Sequence, residues 1–223
     1  MRTSIAFVFI LIFTSCGVQY DGETILNVRG NLTDASGNPI ANQKVKIIVG
    51  ENETGGLFFP SATSDIISFA NTDWNGNFQF LFPAPINNNL ITVEINTSPE
   101  NTYLEKRIAA RKDNFINYQL NLGTIKLYRP SEITELTLAY NKVSIGSIEL
   151  KDVVLEGNTY SYYDDLYSNQ YENQYPNYFQ VAKNQTLTLK YKTVDYSVYP
   201  NVISNYMEPI LVANIPVTHT ITY

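Results

Sequence analysis

Nowhere in these 223 residues do apolar side chains recur at i, i+3, i+4 and i+7 for four turns, while short alternating runs recur from end to end. The cleanest is Thr186-Leu187-Thr188-Leu189-Lys190-Tyr191-Lys192, which places Leu187, Leu189 and Tyr191 on one strand face. Asn77-Phe78-Gln79-Phe80-Leu81-Phe82 alternates as well, with Phe78 and Phe80 on one side and Leu81 and Phe82 toward the other side or the rim. Gly, Asn, Asp and Pro separate the runs, as strand connections require. Seventeen Tyr, 11 Phe and 25 Asn fit the same picture: aromatic residues for pleated surfaces and Asn for turns. The expected fold class is therefore all-β, of sandwich or barrel type.

About seven strands fall in the first part, at 25–32, 45–49, 66–71, 77–82, 90–95, 103–110 and 118–127. Asp34-Ala35-Ser36-Gly37-Asn38-Pro39 reads as a turn, in which Gly37 takes positive φ and Pro39 cannot donate to a ladder. The stretch 51–65 is a Gly- and Pro-containing loop. Asp73-Trp74-Asn75-Gly76 carries the Asn-Gly hairpin signal. Gly30, inside a strand, marks a bulge or a close backbone approach. Asp34, Asp73 and Asn75 are the residue types of a cation site, but short carboxylates followed by Gly are first of all turn formers.

Val28-x-Gly30-x-Leu32-x-Asp34-x-x-Gly37-x-Pro39-Ile40, then Val45-x-Ile47, then Thr72-Asp73-x-Asn75-Gly76-x-Phe78, with Leu122-Gly123-Thr124-Ile125-Lys126-Leu127 closing the unit, resembles the carboxypeptidase regulatory-like family. The resemblance covers about residues 24–128. It implies a transthyretin-like, Ig-like seven-strand sandwich of a kind common in surface proteins of the Bacteroidota. Asn42 departs from the pattern, which usually has Gly or Ala there. The family takes its name from zinc carboxypeptidases, yet this chain has a single His, His219, and no His-x-x-Glu cluster. A zinc peptidase needs about three protein ligands, so the resemblance implies a scaffold or adhesive module.

A boundary is expected near 128–131, followed by a second β-sandwich-like domain over 129–223, with strands at 133–140, 143–155, 178–182, 186–196, 210–212 and 217–223. Within it, 157–178 holds seven tyrosines: Tyr160, Tyr162, Tyr163, Tyr167, Tyr171, Tyr175 and Tyr178. Rigid rings with a hydroxyl suit sugars and protein partners, so Tyr162, Tyr163, Tyr167, Tyr171 and Tyr175 are the candidate ligand-binding residues. The alternative is that these rings pack on their own sandwich. Asp164-Asp165 lacks the spaced ligand pattern of a Ca²⁺ loop.

At the N-terminus, Arg2 precedes the apolar run 5–13, then Thr14-Ser15-Cys16-Gly17. Basic start, short apolar centre and small residues make a secretory signal peptide. Phe13-Thr14-Ser15-Cys16 resembles a bacterial lipobox, with Cys16 as the lipidated residue. The expected organisation is a signal peptide at 1–15, a tether at 16–23, and the two domains. Nine apolar residues rise only about 14 Å as a helix, against roughly 30 Å of hydrocarbon core.

The formal charge of −6 and the lack of a basic cluster beyond Lys106-Arg107 to Arg111-Lys112 argue against nucleic acid. No Gly-x-Ser-x-Gly elbow and no phosphate-binding Gly loop occurs in the sequence. His219 lies in the alternating run Val217-Thr218-His219-Thr220-Ile221, where a strand histidine is usually structural or exposed. The reading is an outer-membrane lipoprotein of a cell envelope with a non-catalytic binding, adhesion or complex-assembly role. It would use no cofactor and no metal. Its partners would be the membrane, through the lipid, and a glycan or an envelope protein. One alternative is a glycan-capturing accessory lipoprotein of a polysaccharide-uptake system. The other is a carboxylate-dependent hydrolase.

Overall fold

Alternation of apolar and polar side chains lets each strand bury one face, and two such faces close a core. The computed structural model describes residues 18–50, 64–87, 89–96, 102–144, 146–166 and 177–223. Its first strands are β1 (Tyr20–Thr33), β2 (Lys44–Gly50), β3 (Ser64–Asn71), β4 (Asn77–Pro85), β5 (Leu90–Ile95), β6 (Lys106–Ala110) and β7 (Gln119–Lys126). After them come β8 (Ile133–Asn141), β9 (Ile148–Glu156), β10 (Thr159–Tyr160), β11 (Tyr163–Asp165), β12 (Tyr178–Ala182), β13 (Gln185–Asp195), β14 (Val202–Val212) and β15 (Val217–Thr222). The protein is all-β, with only two single-turn 3₁₀ segments among the described residues.

Two cores form. The first lies between sheet β4-β1-β7 and sheet β11-β6-β5-β2-β3. It joins Leu26, Val28, Phe80 and Phe82 from one side to Val45, Ile47, Ile91 and Val93 from the other. The second lies between β10-β12-β8-β15 and β14-β13-β9, around Leu136, Leu138, Leu187, Leu189 and Ile210. In both, the opening strand pairs in parallel with the closing one: β1 with β7, and β8 with β15.

Strand β4 keeps strict alternation, so Phe78, Phe80 and Phe82 all point inward and Leu81 points out at 65% exposure. Phe82 thus belongs with the other two rings rather than on the rim. Full burial of such a ring stabilises by roughly 1.5–3 kcal/mol. Gly30 stands opposite Phe78 in the β1–β4 register, and a Cβ at Gly30 would meet Phe78 Cζ at 2.6 Å. The ring occupies the space a side chain would need, so Gly30 marks a close approach. Beside it the β1–β7 register slips between Arg29 and Asn31, a bulge in the closing strand.

Three further details differ from the sequence reading. β1 begins at Tyr20, inside the stretch read as tether, because Asp21 and Gly22 (φ 72) form a bulge that lets Tyr20 pair with Pro85. Asn42 has φ 56, a left-handed conformation that Asn tolerates best after Gly. β14 runs eleven residues, whereas only 210–212 alternated legibly. It is an edge strand, the place in a sheet where a proline such as Pro209 is tolerated.

Candidate functional site

The Tyr-rich segment divides its residues between the two sandwiches. β10 pairs with β12 of the second sandwich, whereas β11, three residues later, adds to the first sandwich beside β6. The pairing is parallel, Tyr163 opposite Arg107 and Asp165 opposite Ala109. Arg107 N donates to Tyr162 O at 2.8 Å and Leu166 N to Ala109 O at 2.9 Å. The edge of β6, otherwise a row of open backbone groups, is thereby covered.

Side chains reinforce this clasp. Tyr160 Oη donates to the carbonyl of Glu105, and its ring meets Tyr128 edge-on at 6.5 Å. Lys106, only 9% exposed, donates from Nζ to Ser161 O at 3.0 Å and pairs with Asp164 Oδ2 at 2.5 Å. Arg107 pairs with Glu105 at 2.8 Å and Glu94 at 3.2 Å, and its guanidinium lies 5.4 Å from the Tyr162 ring. Burial, then the charges of Glu105 and its neighbours, pushes the Tyr160 hydroxyl up to about 12. Burial opposes the charge on Arg107, but Glu105 and Glu94 outweigh it and hold the guanidinium above its usual value.

Of the expected ligand-binding tyrosines, Tyr162 and Tyr163 therefore sit in the clasp, each retaining close to half its surface. Tyr167, Tyr171 and Tyr175 lie outside the described residues, as do Cys16 and Glu172. Tyr160 and Tyr162 make their side-chain contacts with Glu105 and Arg107 of the first sandwich, which neither alternative drawn from the sequence includes, whereas Tyr178 stays exposed on β12 of the second.

His219 is structural. Its Nε2 lies 2.9 Å from Glu208 Oε2, and Glu208 Oε1 accepts from Tyr191 Oη at 2.5 Å. The three side chains connect β15, β14 and β13, bridging the two sheets of the second sandwich. Burial and then Glu208 push the Tyr191 hydroxyl above its ordinary value. Asp34 and Asp73 are likewise committed. Each carboxylate accepts two backbone N–H groups on Oδ1 and an Asn side chain on Oδ2. Among the described residues no three His, Cys, Asp or Glu side chains gather as a metal site.

A second surface is not evident from the sequence alone. The outer face of sheet β4-β1-β7 presents three rungs: Leu81, Asn27 and Gln119; Gln79, Arg29 and Asn121; Asn77, Asn31 and Thr124. Gln79 Nε2 donates to Asn27 Oδ1 at 3.1 Å, and Asn31 Nδ2 donates to Asn77 Oδ1 at 3.0 Å and to Asn75 O at 2.6 Å. The β7 bulge opens a depression of about 540 Å³ here, bounded by Arg29, Asn31, Gln79, Asn121 and Thr124. The signal was present as Asn27-x-Arg29-x-Asn31, Asn77-x-Gln79 and Gln119-x-Asn121, the polar halves of alternating strands. It becomes a site only once register sets the three strands side by side.

No protein-family model matches the chain, and no curated protein matches it. Among solved structures it is similar to the Bacillus anthracis TIE protein, with 15% identity, 89% of this chain and 34% of that one covered, and a TM-score of 0.32. It is similar to the shaft pilin SpaA of Lactobacillus rhamnosus GG, with 10% identity, 88% and 98% covered, and a TM-score of 0.35. A 3-chlorocatechol 1,2-dioxygenase of Rhodococcus opacus 1CP gives 15% identity, 50% and 62% covered, and a TM-score of 0.30. The chain spans about a third of the TIE protein. Scores at this level support no inference about what the chain does.

Proposed function

We propose that the chain is a membrane-anchored envelope lipoprotein with a non-catalytic role in binding, adhesion or assembly of a surface complex. Cys16 is its lipidation site in the outer membrane, and its first sandwich is a member of the carboxypeptidase regulatory-like family. The observation that carries the non-catalytic reading is where the reactive side chains are engaged. Asp34 and Asp73 close turns, Asp164 pairs with Lys106, and His219 bridges sheets through Glu208. These groups are held by partners that maintain the fold. The clasp supports the binding role, because a strand shared between sandwiches makes one arm of two modules.

A glycan-capturing accessory lipoprotein is the second reading, favoured by the carboxamide-lined face of β4-β1-β7. Incubation of the full chain with envelope polysaccharides separates these readings from a hydrolase. Retention of polysaccharide with no new reducing ends is expected. Release of reducing ends that tracks with the protein would overturn the non-catalytic reading.

A further inference from the structure

We infer that the outer face of sheet β4-β1-β7 is a binding site for an acidic saccharide, with Arg29 holding a uronate carboxylate and the flanking carboxamides holding hydroxyls. Arg29 occupies the centre of the middle rung, between Gln79 and Asn121. It is exposed, and among the described residues no carboxylate pairs with it. Two other arginines are engaged: Arg107 has Glu94 and Glu105, and Arg129 lies over the Tyr103 ring. Asp73, at the edge of the depression, is already held by its turn. A planar guanidinium with free donors recognises a carboxylate through two parallel hydrogen bonds.

The surroundings of Arg29 select the rest of the ligand. Asn31, Asn77, Gln79 and Asn121 line the depression with Asn27 and Gln119 on the adjoining rung, and beyond their bonds to one another these carboxamides keep both donors, as on Gln79 and Asn121, and acceptors, as on Asn31. A saccharide hydroxyl is also donor and acceptor, so this lining matches a polyol. A peptide would seek apolar pockets or a strand edge. Three rungs span about 14 Å along the strands at the usual rise, the length of a short oligosaccharide. The depression of about 540 Å³ lies within the range of small-ligand sites. Trp74 stands in the turn that ends this face, one residue before Asn75, whose carbonyl Asn31 holds. It is 84% exposed, and a large ring left in water at the border of a polar site supplies a stacking surface for a sugar.

The inference rests on the binding role proposed above. Its test is isothermal titration of the full chain with tetragalacturonate and with the neutral galactose tetramer of the same linkage. The acidic oligomer is expected to bind at least about tenfold more tightly, a difference of roughly 1.4 kcal/mol. Arg29→Gln should abolish that preference, and Trp74→Ala should weaken both oligomers about equally. Both positions are exposed, and unchanged thermal unfolding of the variants verifies their fold. Equal affinity for the two oligomers, an unchanged preference in Arg29→Gln, equally tight binding of a polyglutamate peptide, or no binding would each overturn the assignment. Cleavage of the oligomer would instead overturn the non-catalytic role, which keeps the two failures distinct.

Discussion

Asp34 and Asp73 make the same five hydrogen bonds in two turns of the same pattern, Asp-x-x-Gly-Asn. In each, the Asp N–H donates to the Asn carbonyl, and the Asp carbonyl accepts from the Gly N–H. In each, Oδ1 takes the backbone N–H groups two and four residues on, and Oδ2 takes the Asn side chain. Both turns lie at one end of β1, where Leu32 N donates to Gly76 O and Ile40 N to Leu32 O. Thr72, almost fully buried, fastens them by donating to Ile40 O at 2.6 Å while accepting from Gln43 N at 2.9 Å.

The twins differ in one respect that mutation can read. Gly37 (φ 89) and Gly76 (φ 77) share a left-handed backbone, but a Cβ at Gly37 meets nothing within 4 Å. At Gly76 it would fall 2.3 Å from Leu32 O. Gly37→Ala should cost only the left-handed penalty of about 1–2 kcal/mol. Gly76→Ala adds a backbone clash and should cost on the order of 4 kcal/mol. Urea denaturation of both variants checks the order, and equal losses would contradict it.

Acid should weaken these turns. The Asn38 side chain and backbone N–H groups hold the Asp34 carboxyl below its ordinary 3.8, and backbone and side-chain bonds from Asn77 do the same for Asp73. Asp21 and Asp195 are lowered as well, chiefly by the side chains of Thr24 and Ser197. The folded state thus binds protons less readily than the unfolded one. The stabilisation is complete above the unfolded value and is lost as pH falls through the folded values. Unfolding midpoints followed from about pH 5 down to about pH 2.5 should decline, and the Asp34→Asn, Asp73→Asn double variant should decline less steeply.

The clasp has its own signature. Asp164→Ala leaves the nearly buried Lys106 ammonium with the Ser161 carbonyl alone. Because Asp164 is partly exposed, the expected loss is about 1–2 kcal/mol. Amide exchange should quicken at Arg107 and Leu166, whose N–H groups bond across the β6–β11 pair. Unchanged exchange at both would show that the ion pair does not hold the segment.

Alkali probes the same place. The Tyr160 hydroxyl rises from 10.0 to about 12, so the folded state keeps its proton longer than the unfolded one. The associated stabilisation is complete below 10.0 and disappears as pH rises toward 12. Tyr160→Phe should lose about 1 kcal/mol at neutral pH and show a smaller decline in alkali. Phenolate absorbance during titration gives an independent reading.

Strands and turns were legible because their signals are local. Phe78 to Phe82 alternate, Asp73 precedes Asn75-Gly76, and Leu187 to Tyr191 repeat every second residue. What escaped depends on partners far away in sequence. β14 was hidden because Pro209 breaks its pattern, and only its edge position makes that proline acceptable. Tyr163-Asp164-Asp165 carries no sign that its partner is 107–109, since a three-residue strand has little pattern to read. Nor do Arg29, Gln79 and Asn121 announce themselves as neighbours until the β1 register aligns them. Asn42 looked like a departure from a small-residue position, and its φ of 56 explains why Asn serves there.

Under the function proposed above, Cys16 holds this protein at a membrane, where it works by binding. Expression of the full chain in a Gram-negative host with labelled palmitate, followed by mass spectrometry of the purified N-terminal peptide, tests it most directly. Label is expected in the wild-type chain and none in Cys16→Ala, with an acylated, diacylglyceryl-modified Cys16 as the first residue. An unlabelled wild-type chain, or label retained in Cys16→Ala, would contradict it.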